Sequence, residues 1–253
     1  MFRLTCSLFV CGMVFSMACK PATSEQASQL PSGRYLNRTV LQACPDKMPV
    51  DVPHYCLEMN FNGKDSVTLD NGFEVFTLPV TATKNENEFS ISKATLYGDM
   101  LFLLASDSTI VLLDTAWTKQ AGSSSFAKIT QGSKSEWSFS NFLNDCIIAG
   151  DGYAWFKQGN LIPGAVTFSA DGQIKGMGPY VKYELCYAGD CLEETDPPSR
   201  TMDLIDDKGN RETYSMKTVE GKMAIELYKI GDPVPDQKGG RPIGAMVHEL
   251  RTE

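Results

Sequence analysis

The chain has 253 residues, with 31 acidic and 23 basic side chains and a formal net charge of −8. This excess of acid argues against a nucleic-acid partner and against a polybasic contact with a membrane surface. Hydrophobic residues make up 42% of the chain and aromatic residues 10%, which is enough to build packed cores and excludes wholesale disorder. The length suits two domains of about 100–120 residues each.

The N-terminus has the layout of an export signal. Arg3 precedes an uncharged apolar run over residues 4–17, and Cys19 follows directly after Ala18. A run of about 14 residues is too short to cross the roughly 30 Å hydrocarbon core of a membrane as a helix. The segment resembles a bacterial lipoprotein signal, which implies that residues 1–18 are removed and that Cys19 is acylated. Residues 16–18 also suit the ordinary signal peptidase, which would leave Cys19 unmodified.

The residues after this signal are predicted to form a flexible tether. Residues 19–31 are mostly small or polar and have no apolar periodicity, which is typical of a spacer between an anchor and a folded domain. Together, signal and spacer predict a protein of the bacterial cell envelope. It would be attached to a membrane through its N-terminal lipid, in the periplasm or at the outer-membrane surface, where disulfides persist.

From residue 32 onward, apolar residues recur with a period of two. Examples are residues 56–61, 89–92, 166–169 and 223–228, each bounded by turn residues such as Gly, Asn or Asp. Short strands with little helical pattern between them predict an all-β protein of two tandem antiparallel domains. Only residues 137–145 carry apolar side chains at helical spacing.

A polar stretch at residues 130–136 marks the predicted boundary between the domains. The first β domain is therefore expected over residues 32–130, and the second, rich in glycine and aromatic residues, over residues 131–253. Residues 89–103 and 214–227 are similar to each other, since each joins an alternating strand to an apolar strand through a glycine turn. The domains are thus either repeats or independent structures that share ordinary hairpin turns.

Each similar stretch is followed by a connection and one last strand, at residues 125–129 and 244–250. This ending resembles that of small bacterial lipocalin-like lipoprotein domains. The resemblance implies an up-and-down barrel or flattened barrel of roughly eight strands, with an internal cavity. In place of the glycine–tryptophan signature of true lipocalins, this chain has Gly33, Arg34 and Tyr35, so the resemblance implies no ligand residues.

The densest group of reactive side chains lies between Cys44 and Cys56. Met48 and His54 also belong to this group, and such a mixture of soft ligands suits Cu(I). In an oxidising compartment, however, Cys44 and Cys56 are predicted to form a disulfide that closes a 13-residue loop and contributes about 3 kcal/mol. Copper binding is the alternative, and no cofactor is predicted.

A second pair of cysteines, Cys186 and Cys191, is predicted to join the two arms of a hairpin. Four residues separate them, with Gly189 near the middle, and this spacing excludes a CxxC redox pair. Cys146 is expected either to be free or to replace one member of this pair.

Residues 150–187 contain seven glycines and seven aromatic residues. Aromatic side chains beside glycine turns can line a ligand groove, but they also form the core and bends of curved sheets, and the core is the favoured interpretation. The groove hypothesis makes one group of side chains candidates for ligand contact: Tyr153, Trp155, Tyr180 and Tyr183.

No catalytic motif of nucleophile, metal or phosphate-loop type is convincing in this chain. The sequence therefore favours a binding module in the envelope, with an unknown small ligand or envelope protein as its partner. Two alternatives are a hydrolase that uses carboxylates assembled in the second domain and a copper-binding lipoprotein.

Overall fold

The structure is a computed structural model. It describes residues 30–44, 46–47, 49–95, 98–113, 125–129, 134, 136–189, 191, 194–219, 223–233 and 240–252. The predicted signal, Cys19 and most of the predicted tether lie outside these ranges, as does most of the predicted boundary at residues 130–136. Within the described ranges, no helix is long and apolar enough to cross a membrane.

The first half of the chain forms a closed antiparallel barrel in which each strand pairs with the next and the eighth pairs with the first. Its strands are β1 (Ser32–Asn37), β2 (Glu58–Asn62), β3 (Ser66–Asp70), β4 (Val75–Ala82), β5 (Glu88–Thr95), β6 (Gly98–Ser106), β7 (Thr109–Leu112) and β8 (Ser125–Lys128). Helix α1 (Arg38–Ala43) and a one-turn 3-10 helix (Pro49–Asp51) lie between β1 and β2.

Side chains fill the interior of this first barrel. Alternate residues of each strand point inward, and the aromatic ones pack on one another: the Phe61 and Phe102 ring centroids are 5.4 Å apart, and those of Phe89 and Phe102 are 5.3 Å apart. All three are at most 3% exposed. A small barrel of this kind is a packed core. The interior cavity that the lipocalin-like resemblance implied is occupied by these rings.

The second half of the chain forms another antiparallel sheet, preceded by helix α2 (Phe139–Ile147). Its strands are β9 (Gly150–Lys157), β10 (Asn160–Phe168), β11 (Ile174–Lys175), β12 (Tyr180–Cys186), β14 (Arg200–Asp206), β15 (Arg211–Val219), β16 (Ala224–Ile230) and β17 (Arg241–Thr252), with the short β13 (Thr195–Asp196) pairing in parallel with the start of β17.

This nine-stranded sheet curves round so that its edge strands meet at one bridge, and we call the resulting partly closed structure the second barrel. Each strand pairs with its neighbour in sequence, apart from β13, and β17 pairs with β9. The remaining edge, between β11 and β12, is joined by a bridge between Gln173 and Lys182 and by the Tyr183 N–H, which donates to the Gly172 carbonyl at 2.8 Å. The all-β prediction is confirmed, with a closed antiparallel barrel followed by a second antiparallel sheet, as is a helix near residues 137–145.

The proposed equivalence of residues 89–103 and 214–227 does not match the strand order. Residues 89–103 belong to β5 and β6, the fifth and sixth strands of their barrel, whereas residues 214–227 belong to β15 and β16, the sixth and seventh strands of theirs. The predicted connection before β8 contains strand β7. The similarity therefore reflects hairpin turn chemistry that any two hairpins can share.

The helices form the junction between the two barrels. Asn37 caps α1 by accepting the Val40 N–H at 3.1 Å, and its amide also donates to the Cys56 carbonyl at 2.9 Å. Ser138 caps α2 in a capping box with Asn141. One continuous core then contains residues of both barrels and of both helices: Leu36, Val40, Val52 and Leu57 from the first half, and Phe139, Leu143, Ile147 and Tyr183 among those from the second.

This junction defines two different ends of the second barrel. Asn141 and Asn144 of α2 both donate to the Ala170 carbonyl, in the turn after β10, so the helix covers that end. The β9–β10 and β14–β15 turns lie at the opposite end, because neighbouring strands are antiparallel. We call this opposite end the open end, and it holds the candidate site.

Candidate functional site

The cysteine pairing differs from the prediction. Cys44, at the end of α1, is bonded to Cys146 of α2, with their Cα atoms 6.1 Å apart. The predicted Cys44–Cys56 disulfide is therefore wrong: Cys56 is a free thiol, 1% exposed, in the core of the first barrel. Burial raises the pKa of this thiol well above its usual value. The predicted Cys186–Cys191 pair is confirmed, with Cα atoms 6.0 Å apart.

The proposed copper ligands do not come together. Cys44 is used by the disulfide, the Cys56 side chain packs inside the first barrel, and His54 Nδ1 lies 2.7 Å from the Val52 carbonyl oxygen. Met48 lies outside the described residues. Across the part of the chain that the structure describes, no three His, Cys, Asp or Glu side chains converge as metal ligands.

The four aromatic residues of the proposed groove are all buried. Tyr153 and Tyr183 pack in the core of the second barrel, and their hydroxyls donate to the carbonyls of Ile148 and Ser169, each at 2.8 Å. Trp155 and Tyr180 are also less than 9% exposed, so the four do not form a surface groove. Trp155 and Tyr180 lie under the open end, where the indole N–H and the tyrosine hydroxyl donate hydrogen bonds to other side chains.

A cavity of about 660 Å³ occupies the open end of the second barrel. Three charged residues reach it by continuing the inward-facing series of their strands: Lys157 comes two residues after Trp155, Glu212 two before Tyr214, and Lys229 two after Leu227. We call this cavity the mouth pocket; its lining residues are Lys157, Gln158, Tyr180, Arg211, Glu212, Thr213, Tyr214, Lys229, Ile230, Arg241, Val247 and His248.

A chain of hydrogen bonds forms the floor of the mouth pocket. The Trp155 indole N–H donates to His248 Nδ1 at 3.1 Å, and His248 Nε2 lies 3.4 Å from the Tyr214 hydroxyl. The Tyr214 hydroxyl donates to Glu212 Oε2 at 2.6 Å, and the Tyr180 hydroxyl donates to the same oxygen at 2.9 Å. Every step therefore leads to the Glu212 carboxylate.

The proton positions in this chain follow from the chemistry of the groups. An indole N–H can only donate, so His248 Nδ1 must accept and the neutral imidazole carries its proton on Nε2. That proton points to the Tyr214 oxygen, which leaves the tyrosine hydroxyl free to donate to Glu212. The arrangement requires a neutral histidine and fits an ionised glutamate.

The electrostatics of the site agree with this assignment. Burial, reinforced by the Lys157 charge, lowers the pKa of His248 to about 4, so the imidazole is neutral near pH 7. The hydrogen bond from Tyr214 lowers the pKa of Glu212 below its usual value. Burial raises the pKa of Tyr214, and the hydrogen bond to Glu212 acts in the same direction, so its hydroxyl keeps the proton that it donates.

The lining of the mouth pocket is richer in cations than the chain as a whole. Among the described residues, four cationic side chains and one carboxylate line the cavity, whereas the net charge of the protein is −8. Arg211 is paired with Asp203 and Glu184, and Arg241 with Glu194. Among the described residues, Lys157 and Lys229 form no ion pair, so their charges are available to an anion.

Sequence reasoning identified Trp155 and Tyr180 as candidates but missed the residues that give the pocket its chemistry. His248 carried a signal, because it occupies an inward position of β17, two residues before the buried Leu250. A polar residue in an apolar inward series indicates a buried hydrogen bond. Glu212 and Lys157 had no comparable signal in the sequence, since charged residues at strand ends are common on any barrel.

No protein-family model, curated protein or solved structure matches this chain.

Proposed function

We propose that this protein is a lipid-anchored binding module of the bacterial cell envelope and that its ligand site is the mouth pocket. The anchoring part rests on the sequence alone, through Arg3, the apolar run at residues 4–17 and Cys19. The binding part rests on Lys157 and Lys229, the two lysines of the cavity that form no ion pair with a described residue.

The ligand that fits best is a small polar molecule with an acidic group. Lys157 and Lys229 supply positive charge that is in no ion pair with a described residue, while the floor offers tyrosine and glutamate oxygens. A cavity of about 660 Å³ is in the range of sites that enclose small molecules. A cluster of cations in an acidic protein also concentrates anions from solution, because opposite charges attract over about one Debye length.

Binding is favoured over hydrolysis by the hydrogen-bonding of the floor. Hydrolysis by a pair of acids requires two carboxylates about 5–10 Å apart with separate roles. Of the described residues that line the mouth pocket, one is a carboxylate, Glu212, and it already accepts two hydrogen bonds from tyrosines. A floor whose polar groups hold one another in place is suited to a preformed ligand site.

Calorimetric titration tests the binding proposal, with butanoate and inorganic phosphate as probes at low ionic strength. At least one probe should bind, and replacing Lys157 and Lys229 together by alanine should weaken binding about tenfold or more, since each lysine is expected to interact directly with the anion. Lys84→Ala removes an exposed lysine from the first barrel and should leave binding unchanged. Equal binding by the double variant and the wild type, or no binding of either probe, would contradict the proposal.

The anchoring proposal is tested separately. The native protein should partition into detergent, and Cys19→Ser should release it as a soluble protein, because burial of acyl chains contributes about 0.8 kcal/mol per CH₂. A native protein that stays in the aqueous phase would contradict it, whatever the outcome of the binding experiment.

A further inference from the structure

The two oxygens of the Glu212 carboxylate have different surroundings. Oε2 accepts hydrogen bonds from both Tyr180 and Tyr214. No described residue donates to Oε1, and the side chain is exposed to the cavity. The tyrosines therefore fix the carboxylate in one orientation and leave one charged oxygen available to a donor from outside.

Tyr214, which donates to Glu212, is itself held in place by a chain of buried side chains. Tyr214 is 5% exposed, His248 1% and Trp155 6%, and each is bonded to the next. A carboxylate held by buried partners loses little conformational freedom when a ligand binds, so its interaction with a ligand group is stronger than that of a mobile surface glutamate. Glu212 is thus a preorganised negative group.

The same cavity also contains positive charges of two kinds, some paired with acidic residues and some not. The arginines Arg211 and Arg241 are already paired with acidic residues, as described above, but Lys157 and Lys229 are not paired within the described ranges. Among the described residues, the groups of the pocket without a direct partner are therefore the two lysine ammonium groups and one carboxylate oxygen, and Lys157 acts on Glu212 through its charge alone. A ligand that carries only an acid would satisfy the lysines and be repelled by Glu212.

We infer that the ligand of the mouth pocket is a zwitterion, with an ammonium group that donates to Glu212 Oε1 and an acidic group held by Lys157 and Lys229. This inference rests on the proposed function, because it assumes that the mouth pocket is the binding site. Free amino acids and short peptides both carry this pair of charges and differ in the spacing between them.

A set of matched probes separates the two charges. The compounds 4-aminobutanoate, butanoate and butylamine share a four-carbon chain and carry both charges, the acid alone and the amine alone. L-2-Aminobutanoate and trialanine present the same two charges at shorter and longer spacing, which distinguishes a free amino acid from a peptide. Binding is measured by calorimetry and by the NMR signal of the Trp155 indole N–H, assigned with Trp155→Phe, because this group belongs to the floor of the pocket.

At least one of the three zwitterions should bind about tenfold more tightly than both butanoate and butylamine, since a charge-assisted hydrogen bond is added in each comparison. The Trp155 signal should shift with the tightest probe. Glu212→Gln keeps the size of the side chain and an oxygen for the tyrosines but removes the charge. It should abolish the advantage of the zwitterion, and butanoate should bind this variant at least as tightly as it binds the wild type. Glu86→Gln, an exposed glutamate of the first barrel, is the matched control.

The outcomes distinguish this inference from the proposed function. If butanoate binds the wild type as tightly as every zwitterion, in a manner that depends on Lys157, the anion site stands and the zwitterion inference is overturned. It is also overturned if Glu212→Gln keeps the full advantage of the zwitterion. If neither these probes nor inorganic phosphate binds at concentrations up to about 50 mM, where even weak sites are occupied, both the inference and the proposed function fail.

Discussion

Acid should destabilise this protein through His248. The imidazole is 1% exposed and receives the Trp155 indole N–H on Nδ1, so it cannot accept a proton there without losing that bond. Glu212, Tyr214 and Tyr180 face it across the floor of the mouth pocket, and Lys157 lies near enough to oppose a second positive charge. Burial is the largest cause of its low pKa, about 4 against 6.5 for a free histidine.

The sign and size of the effect follow from these two pKa values. Above pH 6.5 the histidine is neutral in both the folded and the unfolded chain, and there is no effect. Between pH 6.5 and about 4, His248 binds a proton in the unfolded chain but not in the folded protein, so the free energy of unfolding falls as the pH falls. The loss is about 1.4 kcal/mol per pH unit, or roughly 3 kcal/mol over the whole window.

Urea unfolding of the wild type and of His248→Gln at pH 7.5, 5.5 and 4.5 measures this loss. Glutamine keeps a donor and an acceptor but does not titrate in this range, so the free-energy difference between the two proteins should shift in favour of the variant by about 2–3 kcal/mol between pH 7.5 and 4.5. The carboxylates titrate in both proteins and cancel. His54→Gln is the matched control, since His54 lies outside this core. A difference that stays constant with pH would refute the buried neutral histidine.

Substitutions at the disulfide and in the shared core should change the free energy of unfolding by different amounts. Replacing Cys146 and Cys44 by serine should lower the free energy of unfolding by about 4–5 kcal/mol. The reason is that their sequence separation is 102, so the disulfide restricts a long loop of the unfolded chain. An unchanged unfolding midpoint would contradict a stabilising Cys44–Cys146 disulfide. Leu143→Ala in α2 should cost about 2–5 kcal/mol, since this side chain is 0% exposed in the shared core. Leu161→Ala, at a side chain that is 60% exposed, should cost less than about 0.5 kcal/mol, and equal effects of the two leucine variants would contradict the shared core.

The strands could be predicted because their pattern is local. Residues 56–61, 89–92, 166–169 and 223–228 alternate, and each overlaps a strand whose inward residues are buried. Helix α1 was missed, since its six residues are too few to show helical periodicity and its formation depends on the Asn37 cap and on the burial of Val40. The meeting of the two edges of the second barrel was beyond local patterns, because it depends on contacts of residues 172–173 with residues 182–183.

The cysteine error has a specific physical origin. A short loop made Cys44 and Cys56 look like natural partners, but α1 directs Cys44 towards α2, while Cys56 points into the first barrel. The mouth pocket was missed for a related reason. Glu212, Lys157 and His248 belong to three strands that are distant in sequence, and only the closed sheet brings their inward ends together.

The convergence of hydrogen-bond donors on Glu212 is tested most directly by the tautomer of His248. Nitrogen-15 NMR of the full chain near pH 7 distinguishes a protonated ring nitrogen from a bare one, and the two histidines are separated with His54→Gln. The structure predicts a neutral His248 with its proton on Nε2 and an unprotonated Nδ1 that accepts the Trp155 indole N–H. A proton on Nδ1, or an imidazolium at this pH, would contradict the hydrogen-bond chain and the preorganised Glu212 carboxylate that depends on it.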